Sequence, residues 1–557
     1  MRIEVTVNNK SRILSFCWLF ISFTFLTAFE GFPAPDRVLS IPMRDGKELP
    51  AAVFFPSSYK GEKIPCILLR SPAGISTPYA LVHTPIKENG YAVVIQATRS
   101  FVDAEGKSFP YVSDGWGDLQ DGYDTIEWLA NSSFCNGKVG TMGTSAMGIT
   151  QMMLGPAAPP SLKCQHIRFA AASMYHHATY PGGQILKNQA ERWLGYCARD
   201  PGVHSYLCNH PYYNDFWDQF NTVKVADRVQ APAVHIGGWF DTFIQGTIDG
   251  FISRQKEGGE GARNKQKLVI GPWHHYWPLS SALGDFQMPQ AGINPPVDLS
   301  AEKWFEFYLK DVSNHIEELP AVVYYVMGPF DGSESSGNVW KTTAEWPPRS
   351  QEVSLYLTRD GRLAEDAEPE AASLSYTYQP NNPVPTIGGQ NLFLESGPKD
   401  QSEIEKREDV IVFTTSPLTE DLEVTGRIKA LIYATSSVSN TDISVRLSDV
   451  YPDGRSILIA DGMYRPGVLK PGEILNEERP LEIAVDLWST SLVFAKGHAI
   501  RVAVTSSNYP RYEKNPNIGL TGEYSGRFAS AKTAIHMGKP FPSQIILPTI
   551  QNTAQKG

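Results

Sequence analysis

Three residue types in this chain occur in the order needed for nucleophilic acyl transfer. Ser145 sits in Gly-Thr-Met-Gly-Thr-Ser-Ala-Met-Gly (140–148), between Gly143 and Gly148 and directly after an apolar, strand-like segment. A serine held at a sharp strand-to-helix turn needs small neighbours, because a nearby Cβ would clash as the backbone folds back on itself. Such a turn aims the hydroxyl away from the sheet, where a base can reach it. Downstream, Asp241 closes Ile-Gly-Gly-Trp-Phe-Asp (236–241), and His274 and His275 close Val-Ile-Gly-Pro-Trp-His-His (269–275). A serine hydroxyl is a weak nucleophile until a neutral imidazole takes its proton. A carboxylate then fixes the imidazole's tautomer and stabilises the cation that forms. The order serine, acid, histidine is the one α/β-hydrolases use.

Each residue also has a structural role open to it. Asp241 can cap a helix, since Thr242-Phe243-Ile244 reads as a first turn. His275 can be a buried histidine among Trp273, Tyr276 and Trp277, and His274 competes with it as the base. Asp249 competes as the acid, although it falls in the middle of a helical pattern. The order and placement favour one working triad over three coincidences. Short β-rich runs, 233–236 and 267–270, precede the acid and the histidines, and loops at the carboxyl ends of parallel strands converge on one crevice.

The elements that must position these groups are legible as changes of period. From about Arg37 to Pro160, strands such as 51–55, 66–69 and 92–95 alternate with helical segments such as 122–130, the pattern of a parallel sheet flanked by helices. From about Ser161 to Gln230 the alternation breaks into polar and aromatic sequence. It resumes at Ala233 and ends in a helix over 301–310, where Trp304, Phe305 and Tyr308 recur at helical spacing. After about Glu318 the period becomes two, in 353–357, 443–447 and 500–504, with Asp360-Gly361 and Asp453-Gly454 as hairpin turns. Many short strands of this kind predict a β-sandwich. A length of 557 residues calls for more than one core.

Lys and Arg number 49 against 59 Asp and Glu, a net charge of −10, with no basic stripe, so nucleic acid is excluded as a partner. Trp239, Phe240 and Trp273 crowd the site and predict an apolar pocket for acyl or aryl groups, unless they simply fill core. No Cys/His spacing resembles a metal site, and neither metal nor cofactor is expected. His176 and His177 are adjacent and point in different directions, which makes them ordinary residues of the helical insertion. Lys10 and Arg12 precede an apolar stretch from Ile13 to Phe29, with Leu26-Thr27-Ala28 as a small-residue cleavage site. This reads as a secretory signal over residues 1–28 and places the chain outside the cytoplasm, secreted or periplasmic. An uncleaved anchor is the lesser alternative, because the stretch is at the short limit for spanning a bilayer. Cleavage leaves Cys66, Cys135, Cys164, Cys197 and Cys208, an odd set that cannot all pair; Cys197 and Cys208 are close enough in sequence to bridge.

Several ordered segments resemble the cocaine esterase and Xaa-Pro dipeptidyl-peptidase family of serine hydrolases, which includes α-amino acid ester hydrolases and glutaryl-cephalosporin acylases. They are Gly-Tyr-Ala-Val-Val (90–94), Asp-Gly-Tyr-Asp-Thr-Ile-Glu-Trp-Leu (121–129), Asn-Gly-Lys-Val-Gly (136–140), the Ser145 turn, Gly-Gly-Trp-Phe-Asp (237–241) and Gly-Pro-Trp-His-His (271–275). Asp-Val-Tyr-Pro-Asp-Gly (449–454), Asn-Tyr-Pro-Arg (508–511) and Asn-Pro-Asn (515–517) resemble the family's C-terminal domain. The resemblance implies an α/β-hydrolase over 36–160 and 233–315, a helical cap inserted at 161–232, and a C-terminal jelly-roll β-sandwich over 316–550. It also implies Ser145 as nucleophile, Asp241 as orienting acid, His275 rather than His274 as general base, and the backbone N–H of Ala146 as an oxyanion donor.

Two departures from the family matter. Family members carry Arg-x-Pro-Tyr after an early strand, and the tyrosine hydroxyl donates to the oxyanion; this chain has Arg70-Ser71-Pro72-Ala73. Losing one such donor costs about 10²–10³ in rate. Tyr79 is the nearest phenol in sequence, and an amide near Gly74 is the other replacement. Second, the α-amino acid ester hydrolases grip an ammonium with acidic residues just after the triad aspartate, where this chain has Phe243 and Ile244. The expected function is an exported serine hydrolase that cleaves small ester, amide or short peptide substrates through an acyl-enzyme. The alternatives are an Xaa-Pro dipeptidyl-peptidase and an inactive hydrolase scaffold that binds glycan or a surface ligand. A homo-oligomer is compatible with either.

Overall fold

In the computed structural model of the protein, residues 34–551 are described apart from 100, 103–107, 195–201, 279 and 519–526. The segment expected to be a secretory signal, residues 1–28, and Cys197 lie outside the described residues. The hydrolase part is built on a ten-stranded sheet. Its strands are β1 (Arg37–Pro42), β2 (Glu48–Phe54), β3 (Ile64–Ser71), β4 (Ala92–Ala97), β5 (Cys135–Thr144), β6 (Leu162–Arg168), β7 (Ala233–Phe240), β8 (Lys267–His274), β9 (Val322–Val326) and β10 (Val339–Thr343). The spatial order is β1-β2-β4-β3-β5-β6-β7-β8-β9-β10. From β4 to β9 every pairing is parallel, and the pairings at the two edges are antiparallel. Strands covered on both faces need near-continuous apolar sequence; accordingly β8 is buried along its whole length and β4 along all but its last residue.

Helices α1 (Asp121–Ala130), α2 (Ala146–Leu154), α3 (Ile244–Glu257) and α4 (Ala301–Lys310) pack on the sheet. The predicted helix at 301–310 buries Trp304, Phe305 and Leu309, so its apolar face is the one the spacing indicates. Gly140 in β5 lies under it, and a Cβ there would fall 2.9 Å from the Phe305 ring.

Two boundaries differ from the sequence reading. The break expected at Ser161 is one strand too early, because Leu162–Arg168 is β6, paired with β5 and β7. Its polar residues hid it, yet two of them find partners inside the fold: Gln165 Nε2 donates to the Gln151 carbonyl at 3.0 Å, and His166 Nε2 lies 3.2 Å from the Leu299 carbonyl. The short helical insertion therefore begins after β6. At the other end, β9 and β10 lie beyond residue 315 but extend the hydrolase sheet, with Leu268 opposite Val322.

The strands predicted at 353–357, 443–447 and 500–504 all form, within Gln351–Leu357, Ile443–Val450 and Ala499–Thr505. They belong to two antiparallel sheets of seven and four strands, the β-sandwich of the C-terminal part. The core between these sheets continues into the hydrolase part, where Trp239, Phe240 and Ile248 join Trp346, Phe413 and Ile428. Backbone also meets backbone between the insertion and the sandwich. Gly182 has φ 67°, and a Cβ there would overlap the Met463 carbonyl. No helix among the described residues is long and apolar enough to cross a membrane.

Candidate active site

β5 ends at Thr144 and α2 begins at Ala146, which leaves Ser145 alone in the turn with φ 62° and ψ −125°. A non-glycine residue held there is strained, and several bonds impose the conformation. Ser145 N–H donates to the Arg168 carbonyl at 3.0 Å, while the Ser145 carbonyl accepts from Gly148 and Ile149 N–H at 2.8 and 2.9 Å. The glycines are required by distance: a Cβ on Gly143 would fall 2.5 Å from Met147 Cβ, and one on Gly148 would fall 2.7 Å from the Arg168 carbonyl oxygen.

Asp241 directly follows β7, and His275 directly follows β8. The sheet order β5-β6-β7-β8 brings these carboxyl ends together. His275 Nδ1 lies 2.6 Å from Asp241 Oδ1, and His275 Nε2 lies 2.9 Å from Ser145 Oγ. An ionised carboxylate only accepts, so Nδ1 carries the hydrogen and the Nε2 lone pair faces the serine hydroxyl. Burial is graded along this chain of bonds: Asp241 is wholly buried, His275 is 7% exposed, and Ser145 is half-buried. Asp241 Oδ2 also accepts from Phe243 N–H at 3.1 Å. Its turn-forming role and its contact with His275 coexist. The imidazole is flanked by Phe169 and Phe243, with ring centroids 5.9 and 5.5 Å away.

The competing residues are engaged elsewhere. His274 Nδ1 accepts from Tyr276 N–H at 3.0 Å, and burial lowers its pKa. Asp249, on α3, meets His177 Nε2 at 3.1 Å and Gln245 Nε2 at 2.8 Å. The two adjacent histidines do diverge, since His176 stacks on Tyr213. They border a cavity of about 380 Å³ between the insertion, α3 and the sandwich, which does not include Ser145.

Ala146 opens α2, where a first-turn N–H has no intrahelical partner. Gly74 N–H, the backbone alternative to the missing tyrosine, donates to the Ser71 carbonyl at 3.3 Å, and Ala73 N–H donates to Ser71 Oγ at 3.2 Å. Tyr79 falls in the helix Pro78–Leu81, and its side chain lies outside the described structure. Cys208 is a free, buried thiol.

The pocket residues expected from sequence are corrected. Trp239, Phe240 and Trp273 are at most 1% exposed. Trp239 donates to the Tyr325 carbonyl at 2.7 Å and packs on Trp346, and Phe240 meets Phe330. Trp273 donates to the Gly292 carbonyl at 2.9 Å and stacks on Trp277 at 4.0 Å. These three residues still belong to strands, so their side chains enter the cores on the sheet faces instead of the crevice beyond the strand ends. The surroundings of the site come instead from Phe243, Trp193 of the insertion and the loop carrying Leu392 and Phe393. Tyr276 Oη donates to the Leu392 carbonyl at 2.7 Å, and Gln390 Nε2 donates to the Trp239 carbonyl at 3.1 Å, which fixes that loop beside the histidine. Nothing local in Gln-Asn-Leu-Phe-Leu (390–394) identifies it, apart from apolar residues in a glycine-bounded loop.

Residues 45–197 and 186–277 match the X-Pro dipeptidyl-peptidase (S15) family, and residues 314–546 match the X-Pro dipeptidyl-peptidase C-terminal non-catalytic domain. Cocaine esterase of Rhodococcus sp. is 28% identical over 92% of this chain and 98% of its own length. Among solved structures, an aminopeptidase from a Thaumarchaeota archaeon superposes with a TM-score of 0.77 at 24% identity, covering 93% of this chain and 97% of its own. An α-amino acid ester hydrolase superposes with a TM-score of 0.75, also at 24% identity, covering 93% of this chain and 98% of its own. These two likenesses establish the fold.

Proposed function

Because the chain belongs to the X-Pro dipeptidyl-peptidase (S15) family of serine hydrolases, we propose that it is an exported enzyme that cleaves ester or amide bonds through an acyl-enzyme on Ser145. Ser145 Oγ bonds to the substrate carbonyl carbon as its proton passes to His275 Nε2. The developing oxyanion takes the Ala146 N–H. Collapse breaks the bond to the alcohol or amine, which leaves with the proton from His275, and water then repeats the sequence to release the acid. Asp241 holds the Nδ1–H tautomer and stabilises the imidazolium. The observation that carries this reading is the bridge made by His275, 2.9 Å to the serine oxygen and 2.6 Å to the carboxylate.

Phe243 and Ile244, two and three residues after Asp241, are wholly buried apolar residues, where an ammonium-binding enzyme of the family would carry acids. This favours acyl esters or amides over substrates recognised by a free α-amino group. Export rests on Lys10, Arg12 and the apolar stretch that follows, and N-terminal sequencing of the mature chain tests it. For the chemistry, a fluorophosphonate probe labels Ser145 in the wild type. Ser145→Ala loses both labelling and hydrolysis of 4-nitrophenyl esters while keeping its Tm. A folded wild type that neither labels nor hydrolyses any ester overturns the proposal.

A further inference from the structure

Arg168 is the last residue of β6, and its carbonyl holds the Ser145 amide in place. Its guanidinium lies over the Phe169 ring at 5.8 Å and over the Trp277 ring at 5.7 Å. Phe169 in turn packs on the His275 ring at 5.9 Å, so one aromatic ring separates this cation from the imidazole. Trp277 is two residues beyond His275 and stacks on Trp273.

Several fully buried arginines have strong acceptors, whereas Arg168 is half-buried. Arg70 meets Asp114 and Gln96, Arg99 meets Asp45 and Asp121, Arg254 meets Gln165 and the Met152 carbonyl, and Arg511 meets Asp461. Arg168 forms no ion pair within 4.0 Å and no side-chain hydrogen bond with any of the described residues, and its Nε is buried without a partner. Glu302 acts on it only at a distance, and burial lowers its pKa from the usual arginine value. His83 is close enough to feel the charge; burial first and Arg168 second pull its pKa down to about 4, so it stays neutral beside the guanidinium at neutral pH. A guanidinium taken partly out of water without a counter-charge is costly. Aromatic faces offset part of that cost. Its five donors suit a planar, bidentate anion.

We propose that Arg168 is a specificity residue that receives a carboxylate carried by the substrate, between the aromatic rings of Phe169 and Trp277 and beside the Ser145 site. This rests on the hydrolase reading above and narrows it from any ester or amide to one with a planar anionic group near the scissile bond. The chemistry is the same whether the carboxylate is on the acyl side or the leaving-group side.

The test compares matched substrates that differ only in carboxylate against carboxamide. The acyl arm uses mono-4-nitrophenyl adipate and its terminal amide. The leaving-group arm uses butyryl esters of 4-hydroxybenzoate and 4-hydroxybenzamide. In at least one arm the wild type prefers the carboxylate by about 10- to 100-fold in kcat/KM, the scale of one charge-assisted bond, and the preference shrinks as salt is added. In Arg168→Gln that ratio collapses toward unity, mainly through KM, and Arg168→Lys recovers part of it. No carboxylate preference in either arm, or an Arg168→Gln variant that loses both substrates in proportion, overturns this inference while leaving the hydrolase intact. Failure of all four substrates with no fluorophosphonate labelling instead removes the reading beneath it.

Discussion

Ser145 and Asp241 illustrate how much of the site is held by backbone. Ser145 sits in a conformation that costs about 1–3 kcal/mol for a residue with a Cβ, and three main-chain bonds offset it. Asp241 divides its carboxylate between Phe243 N–H and His275 Nδ1. In Asp241→Asn the amide oxygen can keep the backbone bond, but the NH₂ group would face Nδ1 and favour the wrong tautomer. That variant is therefore expected to keep its Tm and to lose about 10⁴ in kcat. Steady-state hydrolysis of a 4-nitrophenyl ester beside a melting curve checks it, and an active Asp241→Asn would remove the aspartate from the mechanism.

α3 is where the elements meet. It begins just after Asp241, and it is tied to the sandwich by Gln245 Oε1, which accepts Ser489 N–H at 2.9 Å. The insertion is tied to the same region by Thr242 Oγ1, which donates to Gln189 at 2.7 Å. The acid's position thus depends on contacts with both neighbouring parts of the molecule. β7 makes the complementary contribution, burying Trp239 against Trp346 and Tyr325. Trp239→Ala should consequently cost about 3–5 kcal/mol in urea unfolding with little change in KM. A raised KM at unchanged stability would return Trp239 to the pocket.

Across the whole molecule, buried neutral histidines set a pH dependence. Burial pulls His166 and His235 down to about 3, and each ring has a polar partner, the Leu299 carbonyl and Gln266 respectively. The unfolded chain protonates these rings near their ordinary value, so below it the unfolded state binds more protons than the folded one. Their contribution is complete above about pH 6.5 and falls by about 1.4 kcal/mol per pH unit per histidine as pH drops toward the folded values. Unfolding free energy measured from pH 7 to 5 should decline, and the slope should be shallower in His166→Gln/His235→Gln. A flat wild-type profile contradicts the assignment.

What the sequence determined by itself was governed by local sterics and by periodicity. Gly143 and Gly148 frame a strained serine because no Cβ fits beside it, and alternating strands and helices place acid and histidine at strand ends whatever surrounds them. The period-two strands of the sandwich were legible for the same reason. The tertiary structure alone decided matters of pairing and facing. β6 carries Gln165, His166 and Arg168 and reads as a break until its pairing with β5 and β7 places it inside the sheet. A short apolar run such as Val322–Val326 suits either sheet, and only its register with β8 assigns it. Trp239 and Trp273 lie within a few residues of the chemistry in sequence yet face sheet cores, while Leu392 and Phe393 come from more than a hundred residues away to stand beside it. Side-chain direction depends on where a strand's last ladder bond falls, and that is fixed by neighbours remote in the chain.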